Sequence, residues 1–151
     1  MRLTYHTDYG LRMLMLLALE PEQLHTIEEV SRRYGISKNH MMKVAMTLTQ
    51  SGFVDSVRGR GGGLRLARPP REIGLGDVVR ATEDSFGIVE CFDRSTNTCV
   101  VAPACGLKQV LKQAADEFLN VLDGYTLADL VKEPTVGKRM RQLLPIKIVA
   151  A

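Results

Sequence analysis

Tryptophan is absent from this 151-residue chain, and aromatic residues make up only 5% of it. A sheet sandwich built on bulky aromatic and β-branched side chains is therefore disfavoured. Leu, Val, Ala and seven Met carry an apolar content of 45% instead, a set that suits helix packing. Long apolar runs are missing too. The run near the N-terminus, Met13 to Leu19, is seven residues, against the roughly 20 that cross a bilayer. No basic leader, apolar core and small-residue cleavage site follow one another, so a cytoplasmic protein with no membrane partner is expected. Cysteine is scarce: three residues, an odd number for a disulfide framework, which in a reducing compartment leans toward metal or redox chemistry. Charged residues at 25% and a net charge of +3 leave no case for wholesale disorder.

Acid is also scarce in one stretch. Residues 1–70 hold ten Lys/Arg against six Asp/Glu, whereas 71–151 hold ten against eleven. Between Arg32 and Arg68 stand eight basic residues and a single acid, Asp55, a local +7 in 37 residues. Such a density is a candidate phosphate-binding footprint, with a solvated basic face as the plainer alternative.

The pattern of helix signals frames that stretch. Thr7 is placed to cap a first helix with Asp8 in its opening turn, and Leu11, Leu14, Met15, Ala18 and Leu19 form its apolar stripe up to Pro21. Thr26 followed by Glu29 is a capping box for a short helix to about Tyr34. Gly35 breaks it, and Ser37 caps a second helix through Leu48, giving a helix-turn-helix. Val30, Ile36, Met41, Val44, Ala45 and Leu48 are its inward positions. Ser37, Lys38, Asn39, His40 and Lys43 face outward on the helix that would enter a major groove.

Phe53–Val57 and Leu64–Arg68 alternate as two strands around the tip Arg58-Gly59-Arg60-Gly61-Gly62-Gly63, and Pro69-Pro70 closes the unit. Glycines around Arg58 and Arg60, with Gly61 and Arg65 beside them, suit a wing that reaches a phosphate backbone and a narrow minor groove. A nucleotide-binding phosphate loop is the rival. It requires a different glycine spacing and a following helix, and here a strand follows.

A short helix is predicted from Gly76 to Glu83. After it comes a polar loop holding all three cysteines, spaced Cys91-x7-Cys99-x5-Cys105. Buried thiols would sit in periodic stripes, and zinc knuckles have closer pairs and four ligands. An iron-sulfur cluster suits soft thiolates at wider spacing, with a fourth ligand from elsewhere; zinc, thiol redox and a structural use stay open. From Leu107 a long helix carries Leu107, Val110, Leu111, Ala114, Phe118, Val121 and Leu122 as a seam, the expected dimerisation surface. Thr126 caps a last short helix, and residues from Pro134 read as a loose tail. The expected architecture is mainly α with a small β-wing. It comprises a winged helix-turn-helix domain (1–75), a cysteine loop and dimerisation helix (76–133) and a tail (134–151).

Several segments resemble one family. They are Met-Arg-Leu-Thr-x-x-Thr-Asp-Tyr-Gly-Leu-Arg at the start, Tyr-Gly-Ile-Ser-Lys-Asn-His-Met, Val-Arg-Gly-Arg-Gly-Gly-Gly-Leu-Arg-Leu, the three cysteines, and Tyr-Thr-Leu-Ala-Asp-Leu-Val. Together they resemble the NsrR repressors within the IscR-like winged-helix regulators. The resemblance implies a non-enzymatic homodimer bound to an inverted-repeat operator in double-stranded DNA. It implies an iron-sulfur cluster on Cys91, Cys99 and Cys105, 4Fe-4S rather than 2Fe-2S, with Asp8 from the partner subunit as fourth ligand and nitric oxide as the signal. The gap between Cys91 and Cys99 is longer than the family pattern leads one to expect, which lengthens the loop. Two rivals are an IscR-like sensor of iron-sulfur supply or redox state, and a small iron-sulfur electron carrier. The second leaves the wing unexplained, and His6, His25 and His40 are too scattered for an obvious catalytic site.

Overall fold

A computed structural model describes residues 2–144. Helix α1 (Tyr5–Leu19) opens at Thr4, whose hydroxyl accepts from the Thr7 amide. The cap is thus one turn earlier than Thr7, which is itself buried. The expected single stripe is also too narrow: Met13, Leu14, Leu16 and Leu17 are all at most 1% exposed. The reason is position. Helix α1 runs through the middle of the molecule, and a helix surrounded by neighbours is apolar nearly all round.

Those neighbours follow from the sequence signals. Helix α2 (Ile27–Tyr34) is capped by Thr26, which accepts from the Glu29 amide at 3.1 Å. It ends at Gly35 with φ 66°, a left-handed turn that disfavours a side chain. Helix α3 (Lys38–Gln50) starts at Ser37, whose side chain accepts from the His40 amide. Met41, Val44, Ala45 and Leu48 point inward as expected, while Ile36 is only half-buried. Burying four such side chains is worth on the order of 5–10 kcal/mol before the ordering entropy is set against it.

Strands β1 (Val54–Val57) and β2 (Gly63–Leu66) pair antiparallel with Val54 opposite Leu66 and Val57 opposite Gly63. The hairpin is shorter than the alternation predicts. Phe53 leaves the ladder to enter the core, 3% exposed, with the Arg68 guanidinium over its ring at 5.0 Å. The wing is tied down at its base, where the backbone of His25 exchanges hydrogen bonds of 3.0 and 2.8 Å with Leu64.

Helix α4 (Leu75–Thr82) starts and stops one residue before the expected bounds. It packs on α1, and on its other side it meets the long helix α5 (Gly106–Asp123). Two bonds of 2.6 Å join Arg80 to the Asp123 carboxylate. A Cβ on Gly76 would overlap that same carboxylate, so the clasp in this geometry depends on glycine there. Helix α6 (Leu127–Val131) carries the expected cap: Thr126 and Asp129 form a capping box, and Leu127 is fully buried against α1. The Thr126 amide, Lys132 and the Thr126 hydroxyl together hold the Asp129 carboxyl down at about 2.

Residues 134–144 are not loose. Pro134–Leu143 forms helix α7, with Arg141 donating to the Leu19 carbonyl at 2.6 Å and Gly137 buried on Leu19. Docking supplies what local composition lacks, because α7 covers the carbonyl end of α1. The rest of the expected tail, 145–151, lies outside the described residues. No helix among those described is long and apolar enough to cross a membrane.

Candidate nucleic-acid interface and metal centre

Helix α3 and the wing present Lys38, Lys43, Arg58, Arg60 and Arg65 of the 32–68 stretch, whereas Arg32 and Arg33 lie on α2 and the Arg33 side chain is buried. Ser37, Lys38, Asn39 and Lys43 are exposed; His40 is half-buried. The reason is a packed pair: the His40 ring meets Tyr9 edge-on at 4.9 Å, and Tyr9 in turn stacks on Tyr5 at 5.6 Å. Lys38 is drawn sideways to Glu28 at 3.2 Å. At the hairpin tip Arg58 and Arg60 are exposed, and Gly59 and Gly61 take φ values of 100° and 78° that turn the chain sharply. Arg65 leans toward Asp55 across the strand pair at 3.5 Å, a surface contact worth little on its own. Lys43, Arg58 and Arg60 have no ion pair among the described residues, so their charges are uncompensated by the protein.

Arg58→Ala is expected to lower the slope of log affinity against log salt by about 1 while leaving base preference intact. Titrations of one duplex at several salt concentrations check this; an unchanged slope would move the wing off the backbone.

The cysteine loop runs between α4 and α5. Cys91 is buried in a short 3-10 turn, Cys99 and Cys105 are half-buried, and all three are free thiols. Cys105 stands at the N-cap of α5 with no side-chain cap bond, and the free N–H groups of that helix end favour negative charge beside it. The donor chemistry fits a soft metal or cluster. The thiols are not drawn together, however, and Asp8 is not among them. It sits in the first turn of α1 with its carboxylate held by Arg12 at 2.6 and 3.1 Å.

Among the described residues, the one group of three metal-capable side chains within 4.8 Å of one another is Glu20, His25 and Glu29. Sequence reasoning missed it, because its members are brought together by the fold. His25 is fully buried, 3.2 Å from Glu29 and 3.5 Å from Glu20. Arg33, 3% exposed, already spans both carboxylates with contacts of 2.9, 3.1 and 2.6 Å and reaches the Leu144 carbonyl at 3.3 Å. Burial disfavours its charge, but the bonds to Glu20 and Glu29 outweigh that and hold the guanidinium more basic than usual. A cation would have to displace this arginine, so the group is read as a charge-compensated network. The i,i+4 spacings of His25 with Glu29 and of Glu29 with Arg33 were its local traces.

The long helix supplies the remaining surface. Leu107, Val110, Ala114 and Val121 are exposed, Leu111, Phe118 and Leu122 half-buried, and only Ala115 of α5 is fully covered. Most of the expected seam is thus open on the single chain.

Residues 3–133 match the Rrf2 family, described as iron-dependent transcriptional regulators. The chain belongs to the Rrf2 family. It is 56% identical over 133 residues to the HTH-type transcriptional regulator NsrR of Bacillus subtilis, covering 87% of this chain and 91% of that one. The NsrR of Halalkalibacterium halodurans is 45% identical over 97% of this chain and 99% of its own length. Among solved structures, T. potens IscR superposes with a TM-score of 0.70 at 28% identity, covering 88% of each chain. CymR, the global cysteine regulator of B. subtilis, does so with a TM-score of 0.70 at 25% identity, covering 87% of this chain and 97% of that one. This Rrf2 protein is accordingly a winged-helix transcriptional regulator and not an enzyme.

Proposed function

We propose that this Rrf2 regulator is a homodimeric repressor that binds an inverted-repeat operator, carries an iron-sulfur cluster and releases DNA when nitric oxide attacks that cluster. The observation that carries the reading is the placement of three free thiols on the loop joining the DNA-binding half to the seam helix. The NsrR name of relatives 45–56% identical supports it. Cys91, Cys99 and Cys105 would hold the cluster, 4Fe-4S in preference to 2Fe-2S, with Asp8 of the partner subunit as fourth ligand. When bound, such a cluster supplies iron that reacts with nitric oxide, and a carboxylate is the weakest of its four ligands.

The chain's own residues do the rest. The amide end of α5 favours negative charge beside Cys105. Helix α3 and the wing hold the duplex through Ser37, Lys38, Asn39, His40, Lys43, Arg58, Arg60, Gly61 and Arg65. The open seam of α5 sets the distance between the two copies of α3, and that distance must match half-sites about one turn or a multiple apart. A freed Asp8 has a resting partner in Arg12, one helical turn along α1. His6 joins the same turn to α3 through Thr47 at 3.0 Å. A change at Asp8 is therefore mechanically close to the helix that reads DNA.

The test is operator affinity of anaerobically purified protein before and after a nitric oxide donor. Wild type is expected to lose tenfold or more in affinity on exposure. The triple variant Cys91→Ala, Cys99→Ala, Cys105→Ala is expected to bind at least tenfold more weakly from the start and to ignore the donor. A triple variant that binds and responds as wild type does would overturn the cluster as sensor. Release on iron loss alone, with no response to nitric oxide, would favour the sensor of iron-sulfur supply.

A further inference from the structure

Helix α3 turns an unexpected pair of side chains outward. Its inward face is Met41, Val44, Ala45 and Leu48, at most 4% exposed. At about 100° per residue the opposite face is Asn39, Met42, Lys43 and Met46, the i, i+3, i+4, i+7 set. Met42 is 48% exposed and Met46 58%. Two of the polar side chains expected there are turned to the flanks, His40 toward Tyr9 and Lys38 toward Glu28. Over these four positions α3 therefore offers outward one amide, one ammonium and two thioethers. The thioethers border an apolar groove between α3 and the wing, floored by Ala45 and Leu64 and flanked by Ile27 and Ser56.

We infer that Met42 and Met46 read thymine 5-methyl groups in the operator's major groove, setting base preference by apolar contact beside the polar contacts of Asn39 and Lys43. This inference rests on the reading of α3 as the helix that enters DNA. Charge selects the occupant: Lys43 on the same face of α3 and Arg58 and Arg60 at the wing tip are exposed cations with no ion pair among the described residues. Uncompensated cations on either side of the methionines draw a polyanion. In the major groove of a DNA duplex the apolar group on offer is the thymine methyl. Methionine is suited to meet it because its unbranched, polarisable chain adapts to an irregular surface.

The experiment begins with selection of a binding site from a random duplex pool by the anaerobically purified full-length protein. Each thymine of the selected site is then replaced singly by deoxyuridine, which removes the methyl and keeps every hydrogen-bonding group. Affinity is read by fluorescence anisotropy for wild type, Met42→Ala, Met46→Ala and Met42→Leu. One or two thymines in each half-site are expected to show about fourfold weaker wild-type binding without their methyl, the ratio for losing burial of one methyl-sized group. That sensitivity should vanish at one position in Met42→Ala, vanish at another in Met46→Ala, and persist in part in Met42→Leu. Wild type that binds its site but is indifferent to deoxyuridine throughout overturns the inference. So do alanine variants that keep the wild-type pattern. If wild type selects no site and binds no duplex, the DNA-binding reading itself fails, which is a separate result. Both side chains lie on the surface, so the variants are expected to melt as wild type does.

Discussion

Replacing Phe118 or Leu111 by Glu is expected to convert the protein to a monomer and to abolish tight operator binding in the same variant. Phe118 and Leu111 lie half-buried within the α5 seam, with Leu107, Val110 and Val121 each at least 60% exposed around them. A second copy covering this stripe removes apolar side chains from water at roughly 1.5–3 kcal/mol for each one fully buried. A carboxylate placed in the middle loses that gain and adds an unpaired charge, twice over by symmetry, for a total of several kcal/mol. Sedimentation at micromolar concentration reads the oligomer, and anisotropy reads the operator. A variant that still sediments as a dimer would place the interface elsewhere. One that becomes a monomer yet binds a full operator unchanged would separate dimerisation from recognition.

Arg33→Ala is expected to destabilise the folded chain by about 3–5 kcal/mol, the usual penalty for removing one partner of a buried ionic group. In a protein of this size that lowers the melting temperature by on the order of 10 °C. Glu20 and Glu29 would be left facing each other beside a buried His25 with no guanidinium between them. Adding Glu20→Gln and Glu29→Gln to that background is expected to restore much of the loss, because the uncompensated charge goes with the carboxylates. Calorimetry of the single and triple variants decides the matter. A single variant melting within about 2 °C of wild type would mean that water enters the network and replaces the arginine. The same arginine touches the Leu144 carbonyl at the end of α7, so that helix is expected to show the earliest protease sensitivity in the variant.

Features fixed by a few neighbouring residues were legible in the sequence. Thr26, Ser37 and Thr126 each cap the helix expected of them, Gly35 makes the turn, and the basic hairpin stands where alternation puts it. The first helix was legible as a helix, but not as the central one: being enclosed by α3, α4 and α6 is a property of topology, and it shifted both the cap and the buried face. The docking of α7 was hidden for a similar reason. It depends on a bond from Arg141 to Leu19, 122 residues away, in a segment with little apolar content of its own. At the candidate site, outward and inward faces of α3 were readable from its period. What period alone does not convey is that Tyr9 claims one flank of the helix, so His40 turns aside and leaves Asn39, Met42, Lys43 and Met46 as the outward set. Cys91, Cys99 and Cys105 were readable as a set because they are neighbours in one loop, whereas Asp8 is distant in sequence and is held by Arg12 in the structure.

The Arg80–Asp123 clasp over Gly76 has a consequence on the scale of lineages. A side chain at position 76 would evict the carboxylate, and a lost carboxylate would leave Arg80 without its partner on α5. The three positions are therefore coupled: once one changes, the other two lose the contact that favours them, at a small cost because the pair is solvent-exposed. Across many relatives the three positions are expected to vary together more often than exposed positions such as Gln113 do.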